Sequence, residues 1–350
     1  MRALVTGATG CVGRNIVEEL LKNNWDVIVV YRKTSNINRL KGLKIELREA
    51  DLHDLNSVLN VVPENLNAIF HAAGNVSHWH LEAEEQWKDN VLATRNLIQA
   101  AKARNVKRFI FTSTGATFKY ANKPLAEINL IKSDYIRTKL LAELEVRKGI
   151  SLGVDAIIIR PAIVIGKYDY NNYSQIFERI FYGKPSIVLP GIIAFNHATD
   201  VAVAHLKAYE KGKTGEAYYL YGNRTDWLDI YQRIAKIMHV KPPSHKTPFW
   251  VLYILAYSML AISYFSKKRP PLTPQLLSLL GAKDKDDPAS EIPKTRDDLG
   301  FVPSSIDNIL DSCYSWMVEE GILQKQLPYK NKPFKAVEFQ LSASEPPKSI

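Results

Sequence analysis

The sequence predicts an α/β fold, a doubly wound parallel sheet followed by a smaller, mostly helical C-terminal substrate lobe. Three observations carry that expectation. Over roughly the first 160 residues, short apolar β-branched runs alternate with helical patterns. A glycine triplet follows the first of those runs, and the alternation loosens after Arg160-Pro161. Continuous apolar runs suit strands covered on both faces, and strand–helix–strand repetition builds a parallel sheet from them.

In chain order, the runs that read as strands are Arg2–Thr6, Asp26–Tyr31, Lys44–Leu47, Ala68–His71, Arg108–Thr112 and Asp155–Arg160. Helical patterns lie between them at Val12–Lys22, Leu55–Val61, Glu84–Arg104 and Tyr135–Lys148. In the third, Trp87, Val91, Thr94 and Ile98 recur every three to four residues and so share a face. Beyond them Tyr168–Tyr173 reads as an irregular loop. Helices are then expected near 174–183, 199–212, 226–239, 248–265, 272–280 and 305–320, punctuated by Pro242-Pro243 and Pro270-Pro271. The expected division is a nucleotide-binding domain over 1–165, with sheet contributions from 195–222. An interleaved lobe over 166–325 and a basic, mobile tail over 326–350 complete it.

Composition narrows the function classes. With 46% hydrophobic and 23% charged residues in 350, a disordered or collagen-like chain is excluded. Lys plus Arg is 46 against 36 for Asp plus Glu, and the net charge of +10 favours anionic partners. Cys11 and Cys313 offer neither a disulfide framework nor zinc-ligand spacing. The chain opens directly on a strand-like run without a secretory signal pattern, so a cytoplasmic location is expected.

The motifs then specify chemistry. In Thr6-Gly7-Ala8-Thr9-Gly10-Cys11-Val12-Gly13, between a strand and an amphipathic helix, the glycines suit successive tasks. Gly7 permits a tight turn, Gly10 lets the backbone approach a pyrophosphate, and Gly13 allows helix and sheet to pack closely. Thr9, Cys11 and Val12 then lie against the bound phosphates at the positive end of a helix. The second strand ends in Arg32-Lys33-Thr34-Ser35 where NAD sites often carry a carboxylate. The two cations suit the 2′-phosphate of NADP, although a solvated basic loop reads the same way and NAD stays open. Asp51-Leu52 suits contact with adenine, or Asp51 caps the helix from Leu55. In Tyr135-Ile136-Arg137-Thr138-Lys139, phenol and ammonium fall on one side of a helix, where the cation is expected to lower the phenol pKa. His71, His78 and His80 lack a partner at ligand spacing, and no metal is expected.

These motifs occur in order with His71-Ala72-Ala73-Gly74, Phe111-Thr112-Ser113-Thr114, Arg160-Pro161-Ala162, Asn196–Ala202 and Arg296–Pro303. Together they resemble the extended short-chain dehydrogenase/reductase superfamily over roughly residues 1–325, most of all its dihydroflavonol-4-reductase and 3β-hydroxysteroid dehydrogenase branch. The resemblance implies Tyr135 as general acid/base and Lys139 as the residue that holds the nicotinamide ribose and tunes the tyrosine. It implies Thr114, where many relatives have Ser, as the hydroxyl on the substrate carbonyl, with Ser113 an alternative. It also implies Asn90 as a support for the active-site end, and Ala72, Ala73 and Pro161 as walls of the dinucleotide groove. The activity implied is hydride transfer to or from a hydrophobic carbonyl or alcohol. A nucleotide-sugar epimerase with retained NAD and a non-catalytic NADP-binding module are the alternatives.

Two stretches stay open. Tyr168, Tyr170 and Tyr173 either roof the substrate pocket or pack the loop. Pro248–Phe265 carries no charge and is followed by Lys267-Lys268-Arg269, so it reads as a buried lobe helix, an interfacial helix or a span. Peripheral membrane contact through 248–269 and a homodimer are open partners, and no nucleic-acid partner is expected.

Overall fold

The computed structural model describes residues 1–184, 187–280 and 288–323. The expected basic tail lies outside the described residues. Seven parallel strands form the main sheet: β1 (Arg2–Thr6), β2 (Asp26–Tyr31), β3 (Glu46–Glu49), β4 (Ala68–His71), β5 (Arg108–Thr112), β6 (Ala156–Pro161) and, after two strands placed elsewhere, β9 (Ala217–Leu220). Their spatial order is β3-β2-β1-β4-β5-β6-β9. The order reverses between β1 and β4, and in doubly wound sheets a ligand crevice opens at such a point.

Helices seal both faces of this sheet. Ile16, Val17 and Leu20 of the Cys11–Lys22 helix and Val201 of the Ala198–Lys211 helix pack with Val5, Val29 and Ile159 on one side. Leu97, Ala142 and Val146 cover Leu4, Ile69 and Ile158 on the other. Strand β3 begins two residues later than expected because it is the sheet's edge, with Leu47 43% exposed and little apolar pattern to mark it.

The helix expected over Glu84–Arg104 is divided. Ala83–Trp87 and Ala93–Ala103 are α-helical, and Lys88–Leu92 between them forms a π-helical turn. Such turns widen the local hydrogen-bond ladder and recur at functional sites. Val91, Thr94 and Ile98 are buried as the spacing required.

The lobe is less helical than expected. The strands β7 (Ile163–Ile165), β8 (Ile192–His197) and β10 (Asn223–Asp226) form a second small sheet in the order β10-β8-β7. Of the stretch 195–222, therefore, only β9 joins the main sheet; β8 pairs with β7 and β10 instead. The helices Gln175–Phe181, Trp227–Ile237 and Ile306–Glu319 pack around this sheet through Phe177, Trp227, Ile230 and Trp316. Two further helices, Phe249–Ser266 and Pro274–Leu280, form a satellite cluster through Leu252, Ala256, Leu272 and Leu277.

Candidate active site

A cleft of about 990 Å³ opens at the carboxyl ends of the central strands, between the sheet and the lobe. Cys11, Val12, Ala72, Asn90, Ser113, Thr114, Tyr135, Lys139 and Pro161 all line it. Residues up to 150 positions apart thus meet on one surface.

The glycine turn forms its first wall. Gly7 takes a φ of 75°, and a Cβ there would lie 2.5 Å from the Ala73 nitrogen. A Cβ on Gly13 would lie 2.3 Å from the Gly7 oxygen, so strand, turn and helix require bare backbone at both positions. Gly10 is different. Its φ is −101°, and a Cβ there would meet only the Gly7 oxygen, at 3.4 Å. Nothing in the protein demands glycine at position 10; an approaching ligand would. Gly10 is also the N-cap of the Cys11–Lys22 helix, and no side chain caps that terminus. Its first-turn N–H groups therefore lack intrahelical acceptors and face the cleft mouth, where phosphates satisfy both hydrogen bonding and the helix dipole. The residues fit a dinucleotide.

The adenosine side departs from expectation. Arg32 is exposed at the end of β2, but its Nη1 lies 3.3 Å from Asp89 Oδ1. Asp89 also accepts from Asn75 Nδ2 at 3.0 Å and meets His53 Nε2 at 3.2 Å. Lys33 is exposed beside Arg32. A cation not anticipated, Arg39, donates to the Thr9 carbonyl at 3.3 Å and stacks 4.0 Å over the Tyr170 ring. Asp51 does not cap the Leu55–Val61 helix; Asp54 does, accepting from Asn56 and Ser57. Asp51 instead accepts from the His53 nitrogen, while Leu52 is largely buried and its carbonyl accepts from Asn96.

A polar relay runs beneath the cleft. His71 Nδ1 lies 2.7 Å from Thr6 Oγ1 and its Nε2 lies 3.0 Å from Thr94 Oγ1. Because Thr94 spends its proton on the Asn90 carbonyl at 2.6 Å, His71 donates from Nε2 and accepts at Nδ1. Burial drives the His71 pKa down to about 3, with Lys139 adding to the effect, so the ring stays neutral. The π-turn aims the Asn90 amide across the cleft floor. Its Oδ1 accepts from the Asn75 nitrogen at 2.7 Å, and its Nδ2 donates to the Asn75 carbonyl and to Thr138 Oγ1 at 3.0 and 2.9 Å.

Tyr135 and Lys139 come from the Asp134–Ser151 helix, which Ser133 caps. Burial pushes the Tyr135 phenol above its ordinary pKa, and a hydrogen bond with Thr114 pulls it back. The lowering expected from Lys139 does not govern the phenol. Lys139 Nζ is held by the Thr112 carbonyl at 2.7 Å, 4.5 Å above the Phe111 ring. Burial lowers the lysine itself to about 8, against the opposing pull of Glu143.

The two hydroxyl candidates separate clearly. Ser113 Oγ donates to Glu143 Oε1 at 2.5 Å, where Thr117 and the Arg160 guanidinium also bind. Ser113 is thereby committed to a buried ion-pair network below the floor. Thr114 is the hydroxyl beside Tyr135.

The aromatic trio divides as well. Tyr173 lines the cleft and stacks on Trp227 at 5.8 Å, whereas Tyr168 and Tyr170 pack edge-on against Trp316. The histidines do not converge: His71 lies in the relay, His80 meets Tyr264, and His78 packs against Tyr135 with ring centroids 5.2 Å apart. The Nδ1 of His78 is buried without a hydrogen-bond partner, and the ring faces the cleft. A different trio, His53, Glu85 and Asp89, brings ligand-type atoms within 4.8 Å, but Arg32 and Asn75 already engage the Asp89 oxygens.

A parallel sheet of this order, with a glycine cradle and a Tyr/Lys pair across its crevice, defines an NAD(P)-dependent oxidoreductase of the extended short-chain dehydrogenase/reductase class. The family model for the NAD dependent epimerase/dehydratase family matches residues 3–220, and the chain belongs to that family. Sterol demethylase protein B of Methylococcus capsulatus is 28% identical over 92% of this chain and 100% of its own length. The 2-alkyl-3-oxoalkanoate reductase of Stenotrophomonas maltophilia is 25% identical over 63% of this chain and 70% of its own. Among solved structures, UDP-glucuronic acid 4-epimerase from Bacillus cereus, in complex with UDP-glucuronic acid and NAD, superposes with a TM-score of 0.69 at 21% identity. That match covers 91% of this chain and 100% of the other.

Proposed function

We propose that this chain is an NADP-preferring reductase of a carbonyl on a hydrophobic small molecule, able to run in reverse on the secondary alcohol. The observation that carries the reading is the meeting of the Tyr135 phenol, the Thr114 hydroxyl and Lys139 on one cleft floor walled by Val76, Phe118, Ile136, Ile193 and Leu276. Bound nicotinamide supplies the hydride. The side chains handle the proton and the developing charge. Thr114 donates to the carbonyl oxygen, and Tyr135, kept protonated by its burial, delivers the proton as charge builds there. Lys139, one helical turn on and held at the cleft by the Thr112 carbonyl, is placed to hold the nicotinamide ribose. Arg32 and Lys33 supply positive charge for a 2′-phosphate, and the reductase relative favours the same reaction class.

A second reading has one observation of its own. Lys119, Lys132 and Arg224 also line the cleft and suit an anionic substrate such as a nucleotide sugar, in keeping with the epimerase neighbour. An assay of hydrophobic ketones with NADPH separates the two, because a reductase consumes cofactor in proportion to substrate and an epimerase does not. Net NADPH oxidation on an apolar ketone is expected. Interconversion of nucleotide sugars with no net cofactor change would replace the reductase reading.

A further inference from the structure

The Phe249–Ser266 helix is eighteen residues long, uncharged, and only 17% buried. Its inner stripe is Leu252, Ala256 and Ser263, at helical spacing and against the protein. The opposite stripe is large and apolar: Trp250, Ile254, Tyr257 and Phe265 are 68%, 58%, 60% and 91% exposed. Scattered apolar residues on a surface are ordinary, but a contiguous stripe along a whole helix marks an interaction face.

We propose that this outward face docks the protein on an anionic lipid bilayer, with the helix lying in the membrane plane. Orientation follows from how the helix is pinned. Leu252 packs into the Leu272–Leu277 cluster near one end. Near the other, Ser263 Oγ accepts from Trp79 Nε1 at 3.1 Å, Tyr264 meets His80 at 2.9 Å, and Arg269 pairs with Glu82. The two anchor points are about 16 Å apart at 1.5 Å per residue. A helix fastened along its length to one lobe presents its far side to a surface. Crossing the bilayer would strip the Trp79 and Glu82 contacts.

Charge selects the occupant. No Asp or Glu occurs from Lys241 to Arg269; Lys267 and Lys268 are exposed just beyond the helix C-terminus, and Lys246, three residues before its N-terminus, is exposed and paired with Asp226. Basic residues flanking an apolar face suit acyl chains beneath anionic headgroups. Tyr253 and Tyr257, whose rings stack 6.4 Å apart, suit the headgroup layer. A second copy of the chain, packed antiparallel on this face, would set positive end against positive end. Docking would also place the cleft near lipid, because the adjacent Pro274–Leu280 helix contributes Leu276 and Leu279 to the cleft wall. Only that consequence rests on the reductase reading; the docking does not.

The test uses the full chain with vesicles of phosphatidylcholine alone or mixed equally with phosphatidylglycerol. Trp250 is the most exposed of the six tryptophans, so its emission should shift to the blue as the protein co-sediments with the anionic vesicles. Lys267→Gln and Lys268→Gln should each weaken partitioning roughly fivefold. Joint replacement of Trp250, Ile254 and Phe265 by Ser should weaken it by at least about a hundredfold, with the thermal midpoint unchanged because these side chains touch solvent. Absence of vesicle association would overturn the proposal. Resistance to alkaline extraction would overturn it in favour of a span. Self-association abolished by the same three Ser replacements, without lipid binding in the parent, would assign the face to a second copy.

Discussion

Strand β6 and the Phe249–Ser266 helix are both nearly continuous apolar runs, yet every residue of one is buried and most of the other faces outward. β6 has hydrogen-bonding neighbours on both edges, β5 and β9, and helices above and below. The helix satisfies its own backbone and can afford to be covered on one side only. Apolar content therefore states how much surface wants covering, and topology states what covers it. The sheet half is closed and chemically specific; the lobe half is closed toward the cleft and open outward. Substitutions that distinguish a closed region from an open one test this contrast.

The largest effect is expected at the cleft floor. Tyr135→Phe removes one oxygen and leaves the ring packed, so turnover should fall by about 10²–10⁴, the worth of general acid catalysis. Nucleotide affinity and thermal midpoint should be unchanged. Phe265→Ser, on the open face, should leave turnover on a water-soluble ketone at the parental level. A Tyr135→Phe enzyme with parental turnover would remove the tyrosine from the mechanism.

Acid should weaken the sheet half first. His71 and His205 are fully buried there, and burial lowers them from 6.5 to about 3 and about 4, a hydrogen bond to Val201 opposing this at His205. The unfolded chain takes up these protons below 6.5 and the folded chain does not. Stability is thus complete above 6.5 and is lost as pH falls from there toward the folded values. At about pH 5 the loss is roughly 2 kcal/mol for each histidine. Urea unfolding at neutral pH and at about pH 5 measures it, and because His78, lowered to about 4 by burial, adds a similar loss, His205→Gln should remove about a third. Equal midpoints in the parent at both pH values would contradict the neutral relay.

The glycine turn separates structural from ligand-imposed constraint within a few residues. Gly13→Ala forces a Cβ onto the Gly7 carbonyl and should cost about 1–3 kcal/mol of stability. Gly10→Ala meets no such obstacle and should keep the parental midpoint while weakening dinucleotide binding by roughly tenfold or more. Two variants equally unstable would mean that position 10 serves the fold rather than a ligand.

The same contrast explains what the sequence made legible. Buried strands announce themselves because two covered faces leave no polar alternation, and β1, β2, β4 and β5 fall where their apolar runs lie. Edge strand β3 is displaced by two residues from its expected run, and β10 (Asn223–Asp226) carries no apolar residue to mark it; β7 and β8 are apolar, but short runs of that kind within a helical stretch do not distinguish strand from helix. Tyr135 and Lys139 were visible through motif spacing and Asn90 through the family resemblance, but their partners were not. That Glu143 would engage Ser113 and leave Thr114 beside Tyr135 depends on where Arg160 points, which only the packed fold decides. The π-turn over Lys88–Leu92 was likewise hidden, because one helical stripe fits both geometries. Arg39 lacked any motif, and its role at the glycine turn follows from the path of the loop after β2.

The smallest effect is expected at the open rim of the closed half, where the proposed cofactor preference lies. Arg32 has 59% of its side chain exposed and pairs with Asp89 at 3.3 Å. A 2′-phosphate must draw it from that carboxylate through water, so the net preference is about 1 kcal/mol rather than the value of a buried charge-assisted bond. Arg32→Ala with Lys33→Ala should therefore reduce NADP affinity about fivefold and leave NAD affinity unchanged. Asp89→Asn should act in the opposite direction, since it frees Arg32 for the phosphate. Arg39→Ala should weaken both cofactors alike, because Arg39 holds the Thr9 carbonyl of the shared phosphate turn. Titration of each variant with NAD and NADP measures all three, and equal affinities in the parent would withdraw the preference from Arg32 and Lys33. A shift in NADP affinity alone on Arg39→Ala would instead make Arg39 the residue that reads the 2′ position.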